Sequence, residues 1–186
     1  MILDIVKYGN PVLRAKGKRV AAIDDNIRAL AENMIETMRE ANGVGLAAQQ
    51  VGVALQLAIV DVSTASEDRP STMEIDGKPV DLDAWMPLIF VNPHLEPGKQ
   101  RETSVEGCLS FPDITGDVER PAFVTARLEL LDGRTVEFGA SGLLARALQH
   151  EVDHLNGVLF IDRMSSATKV SLGGRLKRLQ REGAAK

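Results

Sequence analysis

The 186 residues of this chain suffice for one ordinary domain, whose core buries roughly 70% of the surface that the unfolded chain exposes. Hydrophobic residues make up 44% and charged residues 26% of the sequence, which excludes a disordered or fibrous protein. The net charge is −4, and the longest apolar runs, such as residues 88–91, are too short to cross a bilayer, which excludes a membrane-spanning protein.

The first third of the chain predicts a helix followed by a buried strand. Asp24 or Asp25 can cap a helix that runs to about Asn42 and carries its apolar residues on one stripe. The helix is expected to stop there because Gly43 follows, and glycine is the usual residue of a left-handed C-cap. Residues 53–62 are mostly apolar, which predicts a buried strand.

The middle of the chain predicts a surface excursion and a short strand. Residues 63–87 are rich in Ser, Thr, Asp and Pro, which indicates a long surface segment with a hairpin around Asp76-Gly77. Residues 88–91 are apolar and predict a strand, which we expect to end at Asn92-Pro93.

The last third predicts a hairpin and two helices. Residues 122–130 and 135–138 alternate between apolar and polar side chains, which predicts the clearest hairpin of the chain. Ser141 can cap a second long helix that ends at Asn156-Gly157. This helix is apolar nearly all round, so we expect it to be buried. A final helical segment follows in residues 166–181.

Two long helices among short, hairpin-linked strands argue for the α+β class. No repeat or low-complexity segment divides the chain, so we expect a single domain over residues 1–186 with a basic helical tail at 166–186. The tail carries six basic residues against Glu182 alone, a net charge of +5. A basic tail on an acidic body is one pattern of nucleic-acid or ribosome contact, although a basic helix face is more often only solvated.

The N-terminus and the cysteine content indicate a compartment. Residues 1–4 lack the basic start and apolar stretch of a secretory signal. The single cysteine, Cys108, cannot form an internal disulfide. Chains without disulfides are common in reducing compartments. We therefore expect a cytoplasmic protein.

The most specific motif lies inside the predicted buried helix, in His150-Glu151-Val152-Asp153-His154. Residues four apart share a helix face, so both imidazoles can reach one metal ion. Glu151 lies about 100° round the helix from His150, where its carboxylate can reach a water on that metal. Polar groups inside an apolar helix need such partners, because their desolvation is costly. The motif therefore predicts a metal site.

Two histidines leave such a site short of a third protein ligand. Phe160 stands where a metzincin would have its third histidine, which excludes that class. The only glutamate after the motif, Glu182, lies in the basic tail, which disfavours a peptidase with a downstream glutamate ligand. Cys108, within Glu106-Gly107-Cys108-Leu109-Ser110, is the remaining candidate, unless it is only a small buried hydrophobe. One cysteine and two histidines would leave a fourth position open, which is typical of catalytic sites.

A third motif is Gly43-Val44-Gly45-Leu46-Ala47-Ala48-Gln49-Gln50. Its glycines allow another backbone to approach closely, so the segment can be an edge for an extended peptide. It is not a phosphate loop, because no Gly-Lys-Ser/Thr follows. Taken alone, it is equally well a helix stop followed by a tight turn.

In this order the three motifs, residues 43–50, 106–110 and 149–157, closely resemble those of the peptide deformylase family. The resemblance extends from Tyr8 to Phe160. It implies a hydrolase that removes the formyl group from the initiator N-formylmethionine of nascent polypeptides and releases formate. It also implies a mostly antiparallel α+β fold around the helix that bears the two histidines. The implied cofactor is one divalent metal ion, usually Fe²⁺, and Zn²⁺, Ni²⁺ or Co²⁺ suit the same ligands.

The resemblance implies a role for each motif residue. The metal ligands would be Cys108, His150 and His154. Glu151 would accept the proton of the attacking water and return it to the departing amine. The oxyanion would be stabilised by the Gln50 side-chain amide and the Leu109 backbone N–H. The implied substrate-binding residues are Gly43, Val44, Gly45, Glu106, Gly107, Leu143 and Ala147.

The implied peptide would lie as an extra strand between residues 43–45 and the backbone near Gly107, with its methionine in an apolar pocket. The chain departs from the simplest pocket at Arg146, whose guanidinium either reaches the pocket mouth or turns away. We also expect Glu106 and Arg120 to pair behind the site.

The expected partners are the N-formylmethionyl peptides of nascent chains, together with a ribosome contact through residues 166–186. No membrane or DNA partner is expected. Two other functions stay open. A general zinc peptidase built on the same helix would cleave internal peptide bonds. A ribosome-associated binding protein with a structural metal would leave Glu151 without a role.

Overall fold

One strand of the large sheet is buried on both faces because its side chains point alternately towards two helices. In the computed structural model, which describes residues 1–186, the strand Leu57–Val60 is entirely buried. Leu57 and Ile59 pack with the first helix, Asp25–Glu40, whereas alternate residues of the strand pack with the second, Gly142–Leu155. The second helix is thereby enclosed by the body of the protein.

The strands and helices confirm an α+β fold of mostly antiparallel sheets around a buried helix. In chain order the strands are β1 (Gly45–Ala47), β2 (Leu57–Val60), β3 (Ser71–Ile75), β4 (Lys78–Pro79), β5 (Leu88–Pro97), β6 (Arg101–Gly107), β7 (Thr115–Pro121), β8 (Phe123–Leu130) and β9 (Thr135–Ser141). The helices are α1 (Asp25–Glu40), α2 (Gly142–Leu155), α3 (Ser166–Ser171) and α4 (Gly173–Ala184). The large sheet has the order β1-β2-β5-β8-β9-β3-β4, and β6 pairs with β7 in a separate hairpin.

The ends of α1 follow from local chemistry. Asp24 is the N-cap, and its carboxylate accepts a hydrogen bond from the N–H of Ile27 at 2.9 Å. At the other end Asn42, with φ 55°, adopts the left-handed conformation, and Gly43 donates its N–H to the carbonyl of Met38. The predicted helix is confirmed, although Asn42 rather than the glycine is the left-handed residue.

Two strand predictions need correction. The strand expected over residues 53–62 is limited to β2, because residues 53–56 turn towards Lys18 instead of pairing in the sheet. The strand expected to end at Asn92-Pro93 continues to the end of β5. A bulge accommodates the proline, which has no N–H, and the Asn92 side chain bonds the backbone of Val20 there.

The segment 63–87 contains the expected hairpin, β3–β4, around Asp76-Gly77. It is not only a surface excursion, however, because β3 pairs with β9 and extends the large sheet. Met73 of β3 is buried in the main core. The β6–β7 hairpin was not predicted from the sequence, because most of its residues outside the metal motif are polar and show no apolar alternation.

The basic tail forms two helices, α3 and α4, and not one, because the chain turns at Leu172 before two glycines. It is packed onto the body. Leu172, Leu176 and Leu179 are buried in a cluster that includes Phe111 and Phe160. Every helix of the protein is too short or too polar to cross a membrane.

Candidate active site

Three potential metal ligands converge where β6 ends against α2. Cys108 directly follows β6, and α2 presents His150 and His154 on one face. The Cys108 Sγ lies 3.4 Å from Nε2 of His154, and the ligand atoms of all three residues lie within 4.8 Å of one another. One thiol and two imidazoles with a free fourth position form a donor set that suits a catalytic divalent transition metal. The residues present therefore fit the metal that the sequence motif implies.

The surroundings of the two imidazoles shift their pKa values in opposite directions. Burial, with the nearby positive charges of His150 and Arg120, lowers the pKa of His154 well below its ordinary value, so its ring is neutral and able to bind a metal. Burial alone would also lower the pKa of His150, but the neighbouring Cys108 and Glu106 outweigh it and raise the pKa to about 10. The site therefore favours a positive charge at His150, whether a proton or a metal ion.

Glu106 fixes the orientation of His150. Its Oε1 lies 2.9 Å from His150 Nδ1, which leaves Nε2 as the nitrogen available to a metal. Arg120 binds both carboxylate oxygens, with Nε–Oε2 2.6 Å and Nη2–Oε1 2.9 Å, so the predicted pair is confirmed. Burial alone would raise the pKa of Glu106, but the bonds to His150 and Arg120 hold it well below the usual range. The carboxylate is fully engaged, so only the backbone of Glu106 is free to contact a peptide.

Arg146 turns away from the pocket mouth. Its Nη1 lies 2.7 Å from Glu106 Oε2 and also donates to the carbonyl of Val118, while Nη2 donates to the carbonyl of Glu102. Both arginines that bind Glu106 are nearly inaccessible to solvent. Asp153, inside the metal motif, extends this network because it accepts a bond from Arg120 at 2.9 Å. Neither Asp153 nor Arg146 carried a sequence signal for this role.

Glu151 is a buried carboxyl without a fixed partner. It is 4% exposed, and its Oε2 accepts no hydrogen bond from the protein. Burial raises the pKa of Glu151 to about 7, against the opposing charges of His150 and Arg120. A carboxyl with such a pKa can both accept and donate a proton near neutrality. The side chain packs directly on Gly45, where a Cβ would overlap Oε1 and lie 2.9 Å from Cδ.

Gln50 points its amide nitrogen at Cys108 and Ser110. Its Oε1 accepts a bond from the Ala47 N–H at 3.0 Å, which fixes the amide orientation. Nε2 then lies 3.3 Å from Ser110 Oγ and 3.5 Å from Cys108 Sγ. The Leu109 N–H donates to no group of the chain. Ser110 belongs to the cysteine motif, but its contact with Gln50 is apparent only from the fold.

A cavity of about 700 Å³ joins these groups. All predicted site residues except His154 line it, namely Gly43, Val44, Gly45, Gln50, Glu106, Gly107, Cys108, Leu109, Leu143, Ala147, His150 and Glu151. Two free strand edges border it. β1 pairs only with β2, and β6 pairs only with β7, so each has an unpaired edge. The cavity can therefore accept an extended peptide as an added strand.

Sequence comparisons match the chain to one family of known proteins. The sequence profile of the polypeptide deformylase family matches residues 2–170. The chain is 49% identical to the peptide deformylase of Opitutus terrae over 183 residues, which is 96% of this chain and 93% of that protein. It is 45% identical to that of Methylacidiphilum infernorum over 181 residues, 97% and 94% of the two chains.

Solved structures give the same result. A Plasmodium falciparum peptide deformylase superposes with a TM-score of 0.83 at 33% identity and covers 98% of both chains. The Thermotoga maritima enzyme superposes with a TM-score of 0.75 at 37% identity, covering 89% of this chain and 99% of its own. The chain therefore belongs to the polypeptide deformylase family and is a metal-dependent hydrolase that removes the N-formyl group from nascent polypeptides.

Proposed function

We propose that Cys108, His150 and His154 hold the metal ion of this deformylase and that Glu151 moves the proton in the reaction. The main support for this proposal is that one thiol and two imidazoles converge within 4.8 Å, beside a buried carboxylate with a free oxygen. When bound, a divalent ion supplies Lewis acidity that activates water and polarises the formyl carbonyl. We propose Fe²⁺ as the native ion, because the resemblance favours it and thiolate and imidazole ligands suit it.

The side chains around this ion divide the remaining chemistry. Glu151 accepts the proton of the attacking water and returns it to the amine when the carbon–nitrogen bond breaks, so that formate and a free N-terminus are the products. The Gln50 amide and the Leu109 N–H donate to the formyl oxygen, which becomes negatively charged when the water oxygen adds to the formyl carbon. The fixed orientation of Gln50 supports this role, since a preorganised donor costs no reorganisation during the reaction.

The substrate is an N-formylmethionyl peptide bound as a strand between the two free edges. Gly43, Val44 and Gly45 contribute one edge, and the backbone of Glu106 and Gly107 contributes the other. The methionine side chain occupies the part of the cavity lined by Val44, Leu143 and Ala147. The apolar character of these side chains supports this assignment, and Arg146, which also lines the cavity, has its guanidinium paired with Glu106.

The proposed function is tested by formate release. Anaerobically purified, iron-loaded protein should release formate from a formyl-Met-Ala-Ser peptide, whereas Cys108→Ala should release none. Metal content and thermal unfolding of both proteins show whether the variant is folded and has lost its ion. Cleavage of internal peptide bonds instead of formate release would favour the zinc peptidase. No formate from the folded, loaded wild type would overturn the proposal.

Replacing Gly45 by alanine should lower kcat by about 10-fold or more, because the new methyl group displaces the Glu151 carboxylate from its position. The three atoms nearest to this methyl group all belong to Glu151, which is not a proposed metal ligand, so metal content should be unchanged. Gly174→Ala is the matched control, since nothing lies within 4 Å of a Cβ at that position. Wild-type kcat in Gly45→Ala would show that the packing of Glu151 on the backbone is unimportant.

We propose that residues 1–186 act as one catalytic domain in the cytoplasm and that the outward face of α4 contacts the ribosome. Burial of Leu176 and Leu179 in the body supports the single domain.

The ribosome contact needs a test that leaves this packing intact. Deletion of residues 166–186 is a poor test, because it would expose the apolar cluster. A charge reversal is cleaner. Lys177→Glu with Arg181→Glu, both exposed, should weaken co-sedimentation with ribosomes and spare formate release from short peptides. Unchanged co-sedimentation would contradict the contact.

A further inference from the structure

A second cavity, of about 340 Å³, continues the active-site cavity along the protein surface. The two share Lys7 and the loop residues 112–114 as lining. The far wall of the second cavity is α4, and Arg175 ties this helix to the loop because its Nη1 donates to the carbonyl of Asp113 at 3.2 Å. A peptide that leaves the active site on this side therefore enters a cleft built by the loop after Cys108 and the C-terminal helix.

The second cavity is rich in cations that have no counter-ion. Four basic residues, Lys7, Arg175, Arg178 and Lys186, line it against two acidic ones. None of the four forms an ion pair within 4.0 Å. Lys7 is half-buried, lies at the junction of both cavities, and its ammonium makes no hydrogen bond. An ammonium without an ion-pair or hydrogen-bond partner, at the junction of two cavities, is a favourable contact for a carboxylate.

We infer that this second cavity is a subsite for acidic side chains of the nascent peptide, downstream of the formylmethionine, and that Lys7 and Arg178 determine this preference. The inference rests on the proposed function, because it needs the peptide to lie in the active-site cavity. A peptide is the occupant favoured by the geometry, since the cavity opens into the substrate cleft. The exposed Lys177 and Arg181 do not line it, so the ribosome contact proposed above uses a different face of α4.

The test uses formyl-Met-Ala hexapeptides with an amidated C-terminus, so that the only carboxylate is the one introduced. A single Asp or a single Lys is placed in turn at each position from two to six, and kcat/KM is measured by formate release. At low ionic strength, Asp should exceed Lys by about fivefold at one or two positions. The preference should shrink at 0.5 M NaCl, as expected for partly exposed charges, which salt screens at a Debye length of about 3–10 Å.

The variants separate the subsite from general electrostatics. Lys7→Gln and Arg178→Gln should each reduce the preference for Asp, whereas Lys7→Arg keeps the charge and should keep the preference. Lys99→Gln removes the same charge from an exposed position outside both cavities and should behave as wild type.

Each outcome is decisive. Equal kcat/KM for the Asp and Lys peptides, or a preference that survives both neutral variants, would overturn the subsite and leave the proposed function standing. Variants that lose ribosome co-sedimentation with unchanged peptide kinetics would assign the cations to the ribosome and overturn the subsite as well. No formate from any peptide would overturn the proposed function, and the subsite with it.

Discussion

Glu151→Gln should lower kcat by about 10²–10⁴-fold, the usual contribution of general acid–base catalysis. Glutamine has nearly the same size as glutamate, so it can occupy the same space against Gly45, but it cannot accept a proton at neutral pH. The native carboxyl is buried, has one free oxygen and has a pKa raised to about 7 by burial. No other carboxylate in the cavity is both buried and free, because that of Glu106 is bound by two arginines and His150.

Formate release gives kcat, and elemental analysis gives the metal content of the same samples. The metal content should not change, because Glu151 is outside the Cys108, His150 and His154 group. Glu137→Gln is the control for the loss of one carboxylate, since Glu137 is exposed and has no ion pair. A kcat near that of the wild type would remove Glu151 from proton transfer and leave its burial unexplained.

Glu106→Ala should destabilise the protein by about 3–5 kcal/mol, the cost of leaving buried charges without a partner. The substitution removes the only carboxylate that contacts Arg146 and both bonds that hold the Nε and Nη2 atoms of Arg120. It also frees Nδ1 of His150. We therefore expect metal affinity to fall by about 10–100-fold, the typical effect of losing a group that orients a ligand.

Urea unfolding measures the first effect, and competition with a chelator measures the second. Glu119→Ala is the matched control, because Glu119 precedes Arg120 on β7 and pairs with Arg101 at the surface. This exposed pair should contribute less than about 1 kcal/mol. A Glu106→Ala protein as stable as Glu119→Ala would show that the buried arginines are satisfied without the carboxylate. Unchanged metal affinity would show that His150 needs no orienting partner.

The metal motif could be predicted from the sequence because it depends on local geometry. The spacing of His150 and His154 places them on one helix face wherever that helix lies in the protein. The ends of α1, near Asp24 and Asn42, could be predicted equally well from the sequence, since helix caps depend on residues only a few positions away. The hairpin over residues 122–138 was visible for the same reason, as its alternation is a property of the strands themselves.

The sequence did not contain a comparable signal for contacts between distant segments. Whether Cys108 is positioned as a ligand or as a buried hydrophobe depends on the position of β6 relative to α2, and three strands, β7, β8 and β9, separate these two elements in the chain. Arg146 lay in a helix that looked apolar all round, and only its partner from β6 explains why a guanidinium is buried there. The length of β5 was underestimated because the bulge at Asn92 is stabilised by Val20, far away in the sequence.

The amino-acid sequence by itself thus determined the α+β class, the helix that carries the two histidines of the proposed metal site, and the family resemblance, because each depends on residues close together in the chain or on motif order. The tertiary structure alone decided how the site is supported. It joined Glu106, Arg120 and Arg146 behind His150, left the outer edges of β1 and β6 unpaired, and placed the basic helix α4 beside the substrate cavity. These arrangements arise from packing between segments far apart in sequence, whose mutual positions no local pattern encodes.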